Sequence, residues 1–593
     1  MYMGCFWLTL WELNASFVPM YIETVPNRNS RPAILLRQGW REGKRVRKKT
    51  LANLTDWPAE KVEALRQVLK GQRLIAPEDA FAVERSLPHG HIEALLAMTR
   101  RLGLERLIAP KRCPERDRVL AMVLERLVHP ASKLATTRLW HSTTLAEELG
   151  VGNDDEDDLY EAMDWLLERQ ERIEQRLAQR HLHEGEPVFA DVSSSYYEGR
   201  TCPLMRFGYN RDGKRGKTQV VYAVLSAPGG CPVAVQAYPG NTADPNTVPD
   251  QVTKLKERFG LERVVLVGDR GLLTQVQLEH LKRHRGLGWV SALKAPQSRA
   301  LVEQHVLQLS LFDEQNLAEI VSPHYPGERL VACYNPLLAE ERSRKREELL
   351  AASEAGLERV AREAARRTRK PLEAAELGRK VGRVLGRHKM GKHFEWEVHD
   401  GRLRYQRNAE RVEAEARLDG LYVLRTSEPA ARLSAHDTVR TYKGLSDVER
   451  WFRTLKGLEV RVRPIRHREE RRVRAHLFVC LLAGYVEWHL RRALAPLLFE
   501  DETVDEARRT RDPVAPAKPT PRAREKKARR RTDDGWALHS LDTLLAELAT
   551  RCRNTCRVLS DPTAPAFSLL TEPTETQRRA AQLIERFPVP GTP

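Results

Sequence analysis

Three acidic residues of this chain stand where a carboxylate is expensive without a partner. Asp191 follows "PVFA" and Asp269 follows "VVLVG", both uncharged runs of strand-forming residues. Glu449 lies in "YKGLSDVERWFRTLKG", residues 442–457, where Val448, Trp451, Phe452 and Leu455 form the apolar stripe of a packed helix. Glu449, Arg453 and Lys456 then share another face, and Tyr442, Glu449 and Lys456 recur at intervals of seven. An aspartate in or at the end of a buried strand must be met by hydrogen bonds or by a cation, because desolvating it otherwise costs several kcal/mol. Three carboxylates brought together make the hard oxygen site that Mg²⁺ prefers. Two such ions about 3.5–4 Å apart can activate a nucleophile on phosphorus and stabilise the leaving oxygen. Each acid also has a plainer reading. Ser446-Asp447-Val448-Glu449 spells a capping box, Asp269-Arg270-Gly271 a turn with a helix cap, and Asp191 has the hydroxyls of Ser193, Ser194 and Ser195 nearby.

The elements that must position these acids follow from the periodicity. "PVFADVSS", "KTQVVYAVLS", "CPVAVQAYP", "RVVLVGD" and "GWVSALK" are five β-rich runs; turns join the first three and helical "TQVQLEHLKRH" separates the last two. Three hairpin-connected strands followed by crossovers predict an α/β fold with a mixed sheet, and ligands in such sheets gather at the carboxyl ends of strands. The pattern is interrupted by a mostly polar helix, "LLAEERSRKREELLAASEAGLERVAREAARRTRK", expected to be a solvated spacer or helical hairpin. It returns at "LDGLYVLRTS", followed by the glutamate helix and the buried helix "HLFVCLLAGYVEWHL". Ahead of the sheet, residues 20 to about 60 read as short strands with a hairpin at Gly43, crowded by Arg37, Arg41, Lys44, Arg45, Arg47, Lys48 and Lys49. From about 91 to 185 the pattern is helical, with Pro130 breaking one helix and Ser132 capping the next.

The 99 Lys and Arg against 81 Asp and Glu leave a net charge of +18, which points to a polyanionic partner, nucleic acid above all. Eight scattered cysteines make neither a disulfide framework nor a zinc motif, and fit a reducing, cytoplasmic setting. The apolar "CFWLTLWEL" is too short to span a bilayer, so no membrane partner is expected. Met20 is the expected natural start, residues 1–19 preceding it. The Pro- and Ala-rich "APAKPTPRAREKKARRR" reads as a disordered, sticky linker, and a last amphipathic helix is expected around 535–550.

Together, "FADVSSSYYEG", "FGYNRDGKRGKTQVVYAVL", "GNTADPNT", "VVLVGDRGLLT" and "YKGLSDVERWFRTLKGLEVRVRPIRHREERRVRAHLFVCLLAG" resemble the DDE transposases of bacterial insertion sequences. The branch is the one whose glutamate sits in the signature Y-x2-R-x3-E-x6-K. By position, the resemblance makes Asp191, Asp269 and Glu449 the catalytic and metal-binding trio, holding Mg²⁺ with Mn²⁺ as a substitute. Tyr442 and Lys456 match the signature and would contact DNA, while Leu445 replaces its arginine. Arg453 and the basic hairpin residues Lys44, Arg45, Arg47, Lys48 and Lys49 are further candidate DNA contacts. His467 is read as a satisfied surface histidine.

The resemblance implies an RNase H-like mixed sheet with an insertion subdomain, plus a mainly helical N-terminal DNA-binding region. The expected layout is 20–185 for DNA binding, 186–295 for the first part of the catalytic core and 296–434 for the insertion. Residues 435–500 would hold the glutamate helix, 501–533 the linker and 534–593 a helical end. Implied too are strand cleavage at the element's terminal inverted repeats, strand transfer into target DNA, and a homodimer on paired ends. Two rivals are a DNA-binding protein descended from a transposase without catalysis, and a stand-alone RNase H-like nuclease. The intact trio argues against the first; the long basic N-terminal region and the insertion argue against the second.

Overall fold

The structure, a computed structural model, describes residues 19–589 apart from position 29 and the segments 73–79, 313–314, 368–371, 458–459, 560 and 562. The apolar run ahead of Met20 lies outside the described residues. The chain forms two compact units, Met1–Ser86 with Asn554–Leu569, and Leu87–Arg553 with Leu570–Pro593.

The smaller unit holds an antiparallel sheet of β1 (Met20–Val25), β2 (Ala33–Glu42) and β3 (Arg45–Asn53). Gly43, at φ 57°, makes the tight turn between β2 and β3 that its position predicts. Helix Ala59–Leu69 follows. A second three-stranded sheet runs in the order Phe567–Leu570, Cys552–Val558, and β4 (Phe81–Pro88). Its late strands and helix Glu575–Arg586 were not read from sequence.

The larger unit is built on an eight-stranded sheet. Its first five strands are β5 (Pro187–Tyr196), β6 (Gln219–Ser226), β7 (Pro232–Pro239), β8 (Val264–Val267) and β9 (Leu287–Ala292), within a residue or two of the five predicted runs. Hairpins join β5, β6 and β7 antiparallel, whereas β8 pairs parallel to both β5 and β9. Beyond β9 come β10 (Leu317–Ile320), β11 (Arg329–Tyr334) and β14 (Leu421–Thr426), in the spatial order β10-β11-β14-β9-β8-β5-β6-β7.

The stretch 296–434 therefore divides. Parts of it extend the sheet, while helices Pro336–Arg366 and Ala374–His388 and the hairpin of β12 (Phe394–His399) and β13 (Arg402–Arg407) close a separate small core around Leu350, Leu357, Leu377, Val381 and Phe394. The charged helix is thus one arm of a helical hairpin.

Helices Gly90–Arg101, Pro114–Val128, Glu156–Leu167 and Gln170–His181 share one continuous apolar core with β5–β9 and the long helix Glu470–Leu494. The N-terminal region accordingly carries strands β1–β4 and helix Ala59–Leu69 up to Pro88 and helices after it, with the boundary between compact units at Ser86. Ser132 caps helix Lys133–Leu139 as its position predicts, accepting the N–H of Ala135.

The stretch 501–533 departs from the disordered linker expected of it. Thr520 caps helix Pro521–Arg529, Ala523 is buried, and Lys526 Nζ donates to the carbonyl of Ala495 and to Glu502, both at 2.8 Å. Val514 is buried with Val331, Cys333, Leu424 and Val439. Proline and basic residues here shape a path over the core, anchored by one apolar side chain and one cap.

Candidate active site

Asp191 and Asp269 are placed by neighbouring strands. β5 and β8 pair in parallel with Phe189 opposite Val267. Asp191, two residues further along, sits in the middle of β5, and Asp269 lies two residues past the end of β8, so both fall just beyond the last paired position of strands about 4.8 Å apart. Asp269 Oδ1 accepts the N–H groups of Gly271 (3.0 Å) and Leu272 (2.7 Å), so the turn expected there does form. Among the described residues no hydrogen bond reaches its Oδ2, and the residue is exposed. Asp191 accepts the N–H of Val192 at 2.7 Å. The neighbouring hydroxyls serve other partners: Ser195 meets Tyr222 and Ser194 the N–H of Arg211.

Glu449 arrives on helix Leu445–Lys456, whose stripe of Val448, Trp451, Phe452 and Leu455 is buried as the spacing predicts. Gly444 lets the helix start hard against β5: a Cβ there would stand 2.7 Å from the Phe189 ring, two residues before Asp191. Gly484 likewise admits the Trp451 indole. The capping-box reading of Glu449 fails. The helix begins at Leu445 with Gly444 as its cap residue and no side-chain cap bond, which leaves Ser446 inside the first turn. Glu449 itself is exposed. Leu445, in place of the signature arginine, is buried in the main core.

The three carboxylates converge electrostatically. The Asp191 carboxyl is pushed up to about 7, first by burial, then by the charges of Asp269 and Glu449, while the Val192 N–H and the Arg211 guanidinium pull it down. The Tyr442 phenol is likewise raised to about 12 by burial and by Asp269 and Glu449, with Arg270 opposing. Arg453 is exposed one turn beyond Glu449. A cluster of three acids that holds one of them protonated near neutrality suits a hard cation.

Lys456 is engaged. Its ammonium meets Asp212 Oδ1 at 3.1 Å, Arg463 binds the same oxygen, and Asp212 Oδ2 accepts the Tyr196 N–H at 2.9 Å. Burial lowers the Lys456 amine, with Asp212 opposing. Sequence reasoning quoted "FGYNRDGKRG" without assigning Asp212 this role. It likewise missed the paired contacts of Arg211 with Asp244 of "GNTADPNT", at 2.5 and 2.6 Å. Asp447 faces away from Glu449, buried and clasped by both terminal nitrogens of Arg508 at 2.7 Å. His467 is partly buried, not a surface residue: its ring meets Tyr160 edge-to-face and lies tilted against His476, and burial presses its pKa down to about 3.

Comparison with known families matches the transposase DDE domain over residues 190–484, a span containing all three carboxylates. The N-terminal domain of the IS1634 family transposases matches residues 22–80, which carry the basic hairpin. The chain belongs to the DDE transposases of insertion sequences. No curated protein matches it. A cryo-EM structure of the piggyBac transposase synaptic complex with hairpin DNA aligns over 68% of this chain and 71% of that one, at 9% identity and a TM-score of 0.31. The transposase is a DNA-cleaving and strand-joining enzyme of a family that uses divalent metal. No helix among its described residues is long and apolar enough to cross a membrane.

Proposed function

We propose that Asp191, Asp269 and Glu449 are the catalytic carboxylates of the transposase and hold its divalent ions, Mg²⁺ by preference with Mn²⁺ in its place. The observation that carries this reading is their convergence from three separate elements, felt as mutual repulsion at Asp191. When bound, the ions supply an activated oxygen nucleophile and neutralise charge on the leaving oxygen. The chain's own residues do the rest. The parallel pairing of β5 and β8 supports the two aspartates acting side by side. The buried stripe of helix Leu445–Lys456, which leaves Glu449 exposed, supports its acting with them. The strand order β7-β6-β5-β8-β9 supports an RNase H-like core.

Tyr442, on the preceding helix Ala435–Lys443, and Arg453, on the glutamate helix, face the DNA, and Lys456, through Asp212, orders the loop between β5 and β6. Residues 20–185 recognise the terminal inverted repeats, with Lys44, Arg45, Arg47, Lys48 and Lys49 on phosphates, and a homodimer brings two ends together. Water attacks the phosphodiester at each end, and the freed 3′-OH then attacks target DNA by transesterification. The test is purified protein with end-containing DNA and Mg²⁺. Cleavage at the ends, abolished by chelator and by each carboxylate-to-amide substitution without loss of the end footprint, is the expected result. Cleavage that survives thorough chelation overturns the reading.

A further inference from the structure

Behind the glutamate helix, His181, Cys231 and His489 offer ligand atoms that all lie within 4.8 Å of one another, and all three residues are buried. They come from three elements: the last turn of helix Gln170–His181, the residue before β7, and the long helix Glu470–Leu494. His489 is 0% exposed, and neither of its ring nitrogens has a hydrogen-bond partner. A fully buried imidazole with two idle nitrogens is rare, because buried polar atoms are nearly always paired. Both imidazoles are held neutral by burial, His181 at about 4 and His489 at about 3, the state that ligates.

We propose that His181, Cys231 and His489 form a structural Zn²⁺ site. Two imidazoles and a thiolate are the donors that Zn²⁺ favours. In a tetrahedral site such donors stand about 3.3–3.8 Å apart, so closing from the observed spacing asks for side-chain adjustments of about an ångström. Binding releases the Cys231 thiol proton to solvent, against the burial that pushes this thiol well up, with the Arg492 charge opposing that burial. The Tyr485 hydroxyl, 2.9 Å from His181 Nε2, fixes that ring as partners of metal-bound imidazoles do. His489 also borders a cavity of about 910 Å³ that Trp488 and Phe587 line with it.

The site would brace the catalytic helix from behind. Trp488 Nε1 donates to the Gly229 carbonyl at 3.0 Å, and Gly230 packs so closely on Asp447 that a Cβ would stand 2.9 Å from its carbonyl oxygen. A metal fastening Cys231 to His489 thus fixes the loop on which the first turn of the glutamate helix rests.

The experiment uses the full chain, loaded with Zn²⁺ and then dialysed against zinc-free buffer containing excess Mg²⁺ to fill the carboxylate site. One zinc per chain by elemental analysis is expected, falling to near none in Cys231→Ser and His489→Phe but unchanged in Cys480→Ser. Replacing zinc by Co²⁺ should give a thiolate-to-cobalt charge-transfer absorption that Cys231→Ser alone of the two cysteine variants removes. If His489→Phe does not fold, Cys231→Ser decides. Wild type without stoichiometric zinc, zinc retained in full by Cys231→Ser, or cobalt without the thiolate band would each overturn the site.

Discussion

Asp191 and Asp269 each lie two residues past the Phe189–Val267 pair of adjacent parallel strands, Asp191 within β5 and Asp269 just beyond the end of β8. Neither position needs a carboxylate for its own folding. Asp269 uses one oxygen to close a turn, a task that an amide oxygen performs about as well. Asp269→Asn should therefore fold within about 1 kcal/mol of wild type, Asp191→Asn at least as stably as wild type, and both should footprint the ends normally. Each should cut end DNA at least about a thousandfold more slowly with Mg²⁺ or Mn²⁺. Near wild-type cleavage by either variant removes that aspartate from the site.

The raised carboxyl of Asp191 fixes the sign of a pH effect. Its pKa in the fold is about 7, well above the ordinary carboxylate range. Between the two values the folded chain holds a proton that the unfolded chain has lost, so stability falls as pH rises through that window and levels off above about 7. Melting curves without divalent ion, compared between wild type and Asp191→Asn, should show wild type losing ground from about pH 4 to about pH 7. Added Mn²⁺ should recover it at the upper end by favouring the ionised form. A pH-independent difference would mean that Asp191 is solvated and not crowded by its neighbours.

How much of this could be read from residues alone depended on where the physical signal was local. The period-two runs of β5–β9 and the stripe on the glutamate helix announce themselves, because burial on one face writes its period into the sequence. Asp447 and Glu449 show the limit. The S-x-x-E pattern was a sound cap signal, but it was overruled by the turn before it: helix Ala435–Lys443 runs almost directly into the next through Gly444. Strands β10 and β11 went unread: β10 is a four-residue edge piece with one buried residue, too short to establish a period, and β11 is the strand between it and β14. The Asp212–Lys456 and Arg211–Asp244 pairs were illegible because they join residues whose proximity only the fold creates. The order in 501–533 rests on single anchors, Val514 and Lys526, that composition averages away.

Within the basic hairpin, charge is not evenly available. Arg47 is paired with Glu42 and Lys48 with Glu23, whereas Lys44, Arg45 and Lys49 have no ion-pair partner among the described residues. Replacing these three with alanine should weaken DNA binding and reduce the log–log salt slope by about 2–3, since each phosphate contact contributes about 0.9. Replacing Arg47 and Lys48 should change the slope less per residue. Fluorescence anisotropy over a salt series measures both, and equal effects per residue would place all five on phosphates alike.

Lys456 presents a choice between two roles. Its ammonium shares the nearly inaccessible Asp212 with Arg463, so removing Asp212 strands two cations. Asp212→Asn should cost about 3 kcal/mol or more, and Lys456→Met should lower the melting temperature while leaving the salt slope of DNA binding unchanged. A slope reduced by about 1 at unchanged melting temperature would put this ammonium on a phosphate instead.

The sharpest test concerns Glu449 and its neighbours on the first turns of one helix. Ser446 is inside that helix and caps nothing, so Ser446→Ala should change stability by less than about 0.5 kcal/mol, where loss of a true cap would cost about 1. Asp447 is buried and gripped by Arg508, so Asp447→Asn should destabilise by about 2–4 kcal/mol yet still cut DNA below its melting temperature. Glu449 is exposed and packs nothing. Glu449→Gln keeps the size and the helix propensity and removes only the charge, which a hard cation requires and a helix does not. It should fold and bind ends like wild type, and lose cleavage by several orders of magnitude. The three variants thus separate cap, core and ligand on adjacent turns. If Glu449→Gln cuts at near wild-type rate while Asp447→Asn, folded, does not, the catalytic carboxylate is Asp447 and the helix presents its other face to DNA.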